Sequence, residues 1–181
     1  MRLKDKVAII TGGSRGIGFA TADAFLREGA KVAVAASSEK NAEAAVEKLK
    51  AIHPDAEVVG ISPNLGSFES VKEEFDKVEK QFGRIDILVN NAGVSESTPF
   101  TSYTEADFDR VIDLNVKGVF NATRAVVDGM IKNHSGVVLN TSSMVSISGQ
   151  PSGFAYPASK FAVNGTTISL ARELGPKGIR V

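Results

Sequence analysis

A glycine-rich turn lies directly behind the first strongly β-forming run of the chain. The run Val7–Thr11 leads into Gly12-Gly13-Ser14-Arg15-Gly16-Ile17-Gly18, and an apolar stripe of helical period starts at Ile17. Glycines let backbone N–H groups approach a phosphate, and a helix N-terminus supplies positive potential to it. The segment therefore predicts a strand–turn–helix unit of an α/β protein, with an anion site at the turn.

The rest of the chain alternates short β-branched runs with longer stretches of helical period. This alternation is typical of a parallel sheet with helices on both faces, a doubly wound α/β fold. Strands are predicted at five segments: Val7–Thr11, Lys31–Ala35, Glu57–Ile61, Ile85–Asn90 and Gly136–Thr141. Long helical stretches are predicted from Thr104 to Ile131 and from Phe154 to Leu174.

The last residues predict the opening of a sixth strand. Ile179 and Val181 alternate with Arg180 after a Gly175-Pro176 helix stop. We expect the sheet to lack its C-terminal strand and the segment that follows it. The chain is then either a minimal version of its fold or a C-terminally truncated fragment.

Charge and cysteine content exclude several classes of function. Lysine plus arginine and aspartate plus glutamate number 21 each, so no global field attracts nucleic acid or an anionic membrane. The chain has no cysteine, which excludes disulfides, thiolate metal sites and cysteine nucleophiles and favours a reducing compartment. The apolar run at Val7–Ile10 is too short for a signal core or a membrane span. We expect a cytoplasmic protein with no metal site, no nucleic-acid partner and no membrane partner.

The glycine spacing also resembles two other sites. A triphosphate loop requires lysine and then serine or threonine after the last glycine, whereas Phe19-Ala20 follows Gly18. The G-x-S-x-G elbow of a hydrolase is formally matched, with Ser14 as the nucleophile. The only histidines, His53 beside a loop proline and His134 at a helix end, are poorly placed to serve it. A turn that merely packs a helix on the sheet is the structural alternative.

The end of the second strand favours dinucleotide binding. A Rossmann-type NAD site usually places an acid about 20 residues beyond the glycines, where it binds the ribose 2′-hydroxyl. Here the strand ends in Ala35-Ala36-Ser37-Ser38, and the first acid is Glu39. Small hydroxyl residues and Arg15 leave room and positive charge for a 2′-phosphate. The sequence predicts a preference for NADP(H), with NAD(H) as the alternative.

Tyr156 and Lys160 are four residues apart in a predicted helix and share one of its faces. A tyrosine hydroxyl, with a pKa of about 10, transfers protons poorly at neutral pH, and a nearby ammonium group favours the phenolate. The pair is suited to acid–base chemistry. Taken alone, however, a tyrosine and a lysine four residues apart often occur by chance.

Taken together, these motifs resemble the short-chain dehydrogenase/reductase family. The matches occur in the family's order and spacing along the whole chain: Thr11-Gly12 to Gly16-Ile17-Gly18, Asn90-Asn91-Ala92-Gly93, Asn115, Ser143 and Tyr156-Pro157-Ala158-Ser159-Lys160. The resemblance implies a single dinucleotide-binding and catalytic domain over residues 1–181. It also implies a ketone/alcohol oxidoreductase.

The resemblance implies a role for each catalytic residue. Tyr156 would exchange a proton with the substrate oxygen, and Lys160 would favour the phenolate and bind the nicotinamide ribose. Ser143 would hold the substrate oxygen; Ser142 and Ser146 lie close by, and spacing alone selects Ser143. Asn115 would anchor a water linked to Lys160. A polar residue that satisfies a helix kink is the alternative for Asn115.

Cofactor contacts are implied as well. Besides the glycine turn with Ser14 and Arg15, they include Ser37 and Ser38 at the second strand, and Asn91, Ala92 and Gly93 under the adenosine ribose. Asn64 and Leu65 would contact adenine, although the family usually has aspartate where Asn64 stands. We expect slightly weaker adenine binding from this change, and a structural role for Asn90.

Two substrate classes remain open. The Ser14-Arg15 turn and the Ser37-Ser38 strand end resemble 3-oxoacyl-(acyl carrier protein) reductases, whose substrate is carrier-bound. The segments 53–60 and 152–157 are similar to bacterial bile-acid hydroxysteroid dehydrogenases. The small apolar segments 94–100 and 144–154 suit an uncharged ketone or secondary alcohol. We expect a 3-oxoacyl thioester reductase-like enzyme, with the hydroxysteroid dehydrogenase as its alternative.

Two further expectations concern assembly and activity. The two long helices are more apolar than one buried face requires, and their apolar residues include Val116, Val119, Phe120, Val126, Val127, Met130 and Phe161. Together with the resemblance, this excess implies a homodimer or homotetramer. A chain that ends early could instead be a non-catalytic NADP-binding sensor. The intact set of Asn115, Ser143, Tyr156 and Lys160 argues against that alternative.

Overall fold

The computed structural model describes residues 1–181, and a parallel sheet of six strands runs through its centre. The first two strands consist of buried β-branched residues and alanine, apart from Lys31 at the start of the second. The strands are β1 (Val7–Thr11), β2 (Lys31–Ala35), β3 (Val58–Ile61), β4 (Ile87–Asn90), β5 (Gly136–Asn140) and β6 (Ile179–Arg180). The five predicted strands are confirmed, with ends that differ by at most two residues, and a sixth strand begins at Ile179.

The strand order is β3-β2-β1-β4-β5-β6, with every pair parallel. The order reverses beside β1, because β2 lies on one side of it and β4 on the other. Chain segments leave the two sides of such a point in opposite directions and open a crevice at the carboxyl ends of the strands. This is a doubly wound, Rossmann-type sheet.

Helices cover both faces of the sheet. They are α1 (Gly16–Arg27), α2 (Glu39–Ile52), α3 (Phe68–Phe82), α4 (Glu105–Ile112), α5 (Gly118–Lys132), α6 (Val145–Ser148) and α7 (Ala155–Leu174). One apolar cluster combines residues of α1, α2 and the sheet, and a second combines residues of α3, α5 and the sheet. None of the helices is both long and apolar enough to cross a membrane.

The stretch predicted as helical from Thr104 to Ile131 contains an irregularity. A π-helical turn at Asp113–Lys117 separates α4 from α5 and contains the buried Asn115. Single π turns inside helices occur frequently at functional sites, because the extra residue redirects a side chain. Here the redirected side chain reaches the loop that follows β4.

Part of the apolar excess predicted on the long helices belongs to the core. Val119, Val126 and Met130 are buried inside the protein, so the expectation that they face a second subunit is wrong. Phe120 and Phe161, unlike these core residues, have 60% and 52% of their surfaces exposed. Ile168 on α7 is similarly exposed, at 62%.

Candidate active site and dinucleotide cleft

A cleft of about 800 Å³ opens at the carboxyl ends of the strands, at the point where the strand order reverses. It is bounded by the glycine turn, the end of β2 and the loops after β3 and β4. Most of the predicted cofactor residues line it: Gly12, Ser14, Arg15, Gly16, Ile17, Ser37, Asn64, Leu65, Asn91, Ala92 and Gly93. Gly18, Ser38, Tyr156 and Lys160 do not line this cleft.

The glycine turn is shaped for close backbone approach. Gly12 and Gly16 have φ values of +65° and +54°, which residues other than glycine rarely adopt. A Cβ at Gly12 would lie 2.9 Å from the Cα of Ala92, whereas nothing lies within 4 Å of one at Gly16. A Cβ at Gly18 would collide with the Gly12 carbonyl oxygen, so that glycine packs α1 against the turn. The turn and the N-terminus of α1 therefore fit a pyrophosphate group.

The hydroxyl of Thr11 joins the glycine turn to the loop after β4. It is buried, accepts hydrogen bonds from Asn91 N at 3.0 Å and Ala92 N at 3.1 Å, and donates to Val89 O. The side-chain amide of Asn91 donates to the carbonyl oxygens of Thr11 and Gly12. Two walls of the cleft are thus tied together by side-chain hydrogen bonds.

The region beside the end of β2 carries positive charge without a carboxylate. Arg15 and Lys48 line the cleft with exposed side chains, and no aspartate or glutamate is among its lining residues. Glu39, the first acid after β2, lines a neighbouring cleft of about 580 Å³ on the other side of α2. The carboxylate that usually binds a free ribose 2′-hydroxyl is therefore absent from this part of the cleft.

Sequence reasoning missed Asn41 and Lys48. They share a face of α2 with Ala44, at spacings of three and four residues, and this face lines the cleft. Ser38, which was predicted to contact cofactor, instead caps α2, since its hydroxyl accepts from Asn41 N at 3.3 Å. The spacing of residues 41, 44 and 48 indicates in the sequence that they share one face of α2. The sequence does not indicate that this face meets the cleft.

The loop after β3 forms the far end of the cleft. Asn64 is exposed, and its side-chain oxygen accepts from Gly66 N at 3.0 Å within a local turn. One acceptor position of that oxygen is thereby occupied. Leu65 is fixed through its carbonyl, which accepts from the buried side-chain amide of Asn121 at 2.7 Å.

Tyr156 and Lys160 lie in the first two turns of α7. Lys160 is 5% exposed, and its Nζ donates to Thr141 O at 2.7 Å and lies 5.7 Å from the centre of the Tyr156 ring. Burial lowers the pKa of Lys160. A Cβ at Gly93, which lines the cleft, would lie 3.8 Å from this Nζ, so the lysine lies behind a cleft residue that has no side chain.

Three serines follow β5, and their environments differ. Ser146 is buried, and its hydroxyl bonds Ser143 O at 2.6 Å, Ser142 and the amide of Asn164. The Ser143 hydroxyl has only a long bond of 3.4 Å from Val145 N. Ser143 is therefore the serine in this loop whose hydroxyl remains available to a substrate, while Ser146 holds the loop.

Asn115 joins α7 and the loop after β4. Its oxygen accepts from Val94 N and its amide donates to Val94 O, both at 2.9 Å. The same amide donates to the buried Ser159 Oγ at 3.0 Å. Asn90 is also buried, and its amide bonds Thr123 and Asn140 inside the sheet-facing core.

The switch-point cleft and the glycine turn behind β1 are those of a dinucleotide-binding α/β fold, and the Tyr156–Lys160 pair lies on α7 beside the cleft residue Gly93. A family model described as short chain dehydrogenase matches residues 6–181. The chain belongs to the short-chain dehydrogenase/reductase family of oxidoreductases, whose members act on CH–OH groups.

Several relatives are similar over the whole chain. A 3alpha-hydroxysteroid dehydrogenase of Mediterraneibacter gnavus is 52% identical over 181 residues, which cover 100% of this chain and 72% of that protein. The 3-oxoacyl-[acyl-carrier-protein] reductase FabG of Thermotoga maritima is 41% identical, again over 100% of this chain and 73% of that protein. The chain thus spans somewhat less than three quarters of the length of these relatives.

Solved structures share the fold closely. The structure of an NAD+-bound xylitol dehydrogenase matches with a TM-score of 0.95 and 34% identity, over 100% of this chain and 69% of that one. A levodione reductase matches equally well, at 0.95 and 37% identity, over 99% and 70% of the two chains. The parallel sheet and its helices are therefore those of the family.

Removing the Thr11 hydroxyl tests the junction between the two walls of the cleft. In Thr11→Val the shape is kept, but the N–H groups of Asn91 and Ala92 lose their acceptor. An unsatisfied buried donor costs about 1–3 kcal/mol, so we expect a lower urea midpoint and weaker dinucleotide binding by calorimetry. Thr11→Ser, which keeps the hydroxyl, is the control; equal dinucleotide affinity in the two variants would contradict the assignment.

Proposed function

We propose that this chain is an NADP(H)-dependent oxidoreductase that interconverts a ketone and a secondary alcohol, with Tyr156 as the general acid/base. The observation that carries the proposal is the buried Lys160, with its ammonium group 5.7 Å from the Tyr156 ring and beside the end of the dinucleotide cleft. A buried cation stabilises a phenolate next to it more strongly than an exposed one does.

The cleft fits a dinucleotide phosphate. The glycine turn would hold the pyrophosphate, Arg15, Lys48 and Ser37 the 2′-phosphate, and the loop at Asn64 and Leu65 the adenine. The loop at Asn91, Ala92 and Gly93 would support the ribose. When bound, the nicotinamide supplies a hydride to a carbonyl carbon or accepts one from an alcohol carbon.

The catalytic residues handle the proton that accompanies the hydride. In the reductive direction, Tyr156 gives its hydroxyl proton to the carbonyl oxygen and becomes a phenolate. Ser143 donates a hydrogen bond to the same oxygen as negative charge develops there. Lys160 stabilises the phenolate; its bond to Thr141 O uses one of three ammonium donors, which leaves two for Tyr156 and the ribose.

Asn115 has a positioning role in this scheme. Its amide fixes both polar backbone groups of Val94, and through Ser159 it fixes α7 one residue before Lys160. A Cβ at Gly93 would lie 3.2 Å from Asn115 Oδ1 and 3.8 Å from Lys160 Nζ. Gly93 therefore lies next to both side chains, and its lack of a side chain lets the loop after β4 approach them.

The substrate side of the site is apolar. Met144 and Ile147 are 77% and 78% exposed, and Phe154 packs against Phe100 and Phe108 with ring centres 5.4 and 6.1 Å apart. A broad apolar wall of this kind suits a large, rigid, uncharged substrate. Together with the 52% identity to the 3alpha-hydroxysteroid dehydrogenase, it leads us to place a hydroxysteroid first.

A 3-oxoacyl thioester bound to an acyl carrier is the second candidate. The observation that favours it is the Ser14-Arg15 turn with Ser37 beside it in the cleft, the pattern that resembles the carrier-protein reductases. The 41% identity to the Thermotoga maritima reductase adds support. Both substrates require the same acid–base chemistry at Tyr156.

The first prediction from this proposal concerns Tyr156. In Tyr156→Phe the proton donor is lost while the ring remains, so we expect kcat to fall by roughly 10²- to 10⁴-fold, with NADPH affinity within about twofold of wild type. The measurement is loss of reduced-nicotinamide absorbance with a 3-oxo steroid and a 3-oxoacyl thioester in parallel. The faster substrate selects the class.

Either of two results would contradict this proposal. Wild-type turnover in Tyr156→Phe would remove the tyrosine from the chemistry. Tight NADPH binding without turnover of any ketone would favour the sensor alternative.

The second prediction concerns the cofactor. Arg15→Ala removes a charged hydrogen-bond donor to the 2′-phosphate, and such bonds contribute about 1.5–3 kcal/mol. We expect the ratio of NADPH to NADH affinity to fall roughly 10- to 100-fold, measured by fluorescence titration. Arg172→Ala, an exposed arginine in the last turn of α7, should leave the ratio unchanged. An unchanged ratio in Arg15→Ala would refute the 2′-phosphate assignment.

The third prediction concerns assembly into a homodimer or homotetramer through the exposed apolar residues of α5 and α7. Phe120→Asp with Phe161→Asp should shift the particle toward the monomer mass in light scattering, because a buried charge opposes apolar pairing. Phe100→Asp, which changes a 72% exposed phenylalanine elsewhere, is the matched control. A monomeric wild-type chain at micromolar concentration would contradict this expectation.

A further inference from the structure

The helix that carries Tyr156 and Lys160 has no cap from its own chain segment. The residue that precedes α7 is Phe154, and its side chain makes no capping hydrogen bond to the first turn. The N–H groups of a first helical turn have no partner inside the helix and need one from elsewhere. For Tyr156 that partner is the carboxylate of Glu96, whose Oε1 accepts from Tyr156 N at 3.1 Å.

Glu96 is held in place by two further hydrogen bonds, and a third fixes one of its partners. Its other carboxylate oxygen accepts from Thr98 N at 3.2 Å, and its main-chain oxygen accepts from Gln150 Nε2 at 3.0 Å. Gln150 in turn donates to Gly153 O at 3.3 Å. The carboxylate therefore has one defined orientation, toward the start of α7, where it also interacts favourably with the helix dipole.

Two more hydrogen bonds join the loop after β4 to the segment that precedes α7. Gly153 N donates to Thr98 O at 3.0 Å, and Ser152 Oγ donates to Ser97 O at 2.9 Å. Gly153 has φ +93°, and a Cβ there would lie 2.5 Å from Glu96 O. The loop after β4 and the segment before α7 thus close on each other too tightly for a side chain at 153.

Charge and burial around Glu96 agree with this role. The hydroxyl of Tyr103 is buried without a hydrogen-bond partner, and its ring packs edge-on against Phe154. Burial first, and then the negative charge of Glu96, raise the pKa of Tyr103. The neutral form of Tyr103 is therefore favoured beside the carboxylate.

We propose that Glu96 is a positioning residue for the reaction: its carboxylate caps α7 at the peptide N–H of Tyr156 and so sets where the phenol meets the substrate. This inference deepens the proposed function and rests on Tyr156 being the acid/base. Glu96 touches the backbone of Tyr156 and not the reacting atoms. Its effect is on kcat, because a displacement of about 1 Å at a catalytic group can cost about 100-fold in rate.

The test compares Glu96→Ala and Glu96→Gln in the 181-residue chain. Alanine removes the acceptor, whereas the glutamine side-chain oxygen can still accept from Tyr156 N. Glu105→Ala is the matched control, since Glu105 is an exposed acid in the first turn of α4 and makes no side-chain hydrogen bond or ion pair. The readouts are amide hydrogen exchange of the peptide containing Tyr156, NADPH affinity, and kcat with the better of the two ketones.

We expect Glu96→Ala to speed exchange at Tyr156 about tenfold or more and to lower kcat at least tenfold, with NADPH affinity within about twofold of wild type. Glu96→Gln should recover most of both losses, and Glu105→Ala should resemble wild type. Wild-type exchange at Tyr156 in Glu96→Ala would overturn the inference. So would a Glu96→Gln variant as impaired as Glu96→Ala, or wild-type kcat with faster exchange.

The exchange readout does not depend on turnover. If the wild-type chain reduces neither ketone, the proposed function fails. Faster exchange at Tyr156 in Glu96→Ala would then still support the capping contact. Unchanged exchange would overturn it.

Discussion

The pairing of one side-chain amide with both backbone polar groups of one residue connects the two halves of the candidate site. Asn115 bonds the N–H and the C=O of Val94 and also reaches Ser159, so a single buried residue joins the loop after β4 to α7. Each bond replaces a backbone partner that the loop lacks, and an unmade bond at a buried group costs about 1–3 kcal/mol. The π turn at Asp113–Lys117 is the backbone change that accompanies this placement.

The sheet determines why these contacts occur at one edge. Parallel strands all end on the same side, and the order reverses at β1, so the loops after β1, β2, β3 and β4 surround one crevice. Short side chains then bring the loops together: Thr11 bonds the loop after β4, and Asn121 bonds the loop after β3. Rigid walls around a preformed cleft lower the ordering cost of binding a long, flexible ligand.

The sequence predicted the strands, and it proposed candidate site residues where they lie within short motifs. Val7–Thr11 and Lys31–Ala35 were predicted with the bounds that the structure has, because buried parallel strands leave a strong β-branched signal. Glu96 and Lys48 were missed for a different reason. Their contacts join segments that are distant in the chain, 60 residues apart for Glu96 and Tyr156, and no local pattern marks such a pair. Burial of Val119, Val126 and Met130 likewise depends on which face of α5 meets the sheet.

The proposed preference for NADP(H) depends on a missing negative charge as much as on the positive charges present. Arg15 and Lys48 are exposed, so water and salt screen part of their attraction to a 2′-phosphate. A carboxylate at the end of β2 would repel that phosphate directly, and it is the residue type that NAD sites use there. The position holds Ser37, while Glu39 turns into the neighbouring cleft on the other side of α2. Because α2 begins at Glu39 with Ser38 as its cap, the helix start itself directs that acid away from the cofactor side.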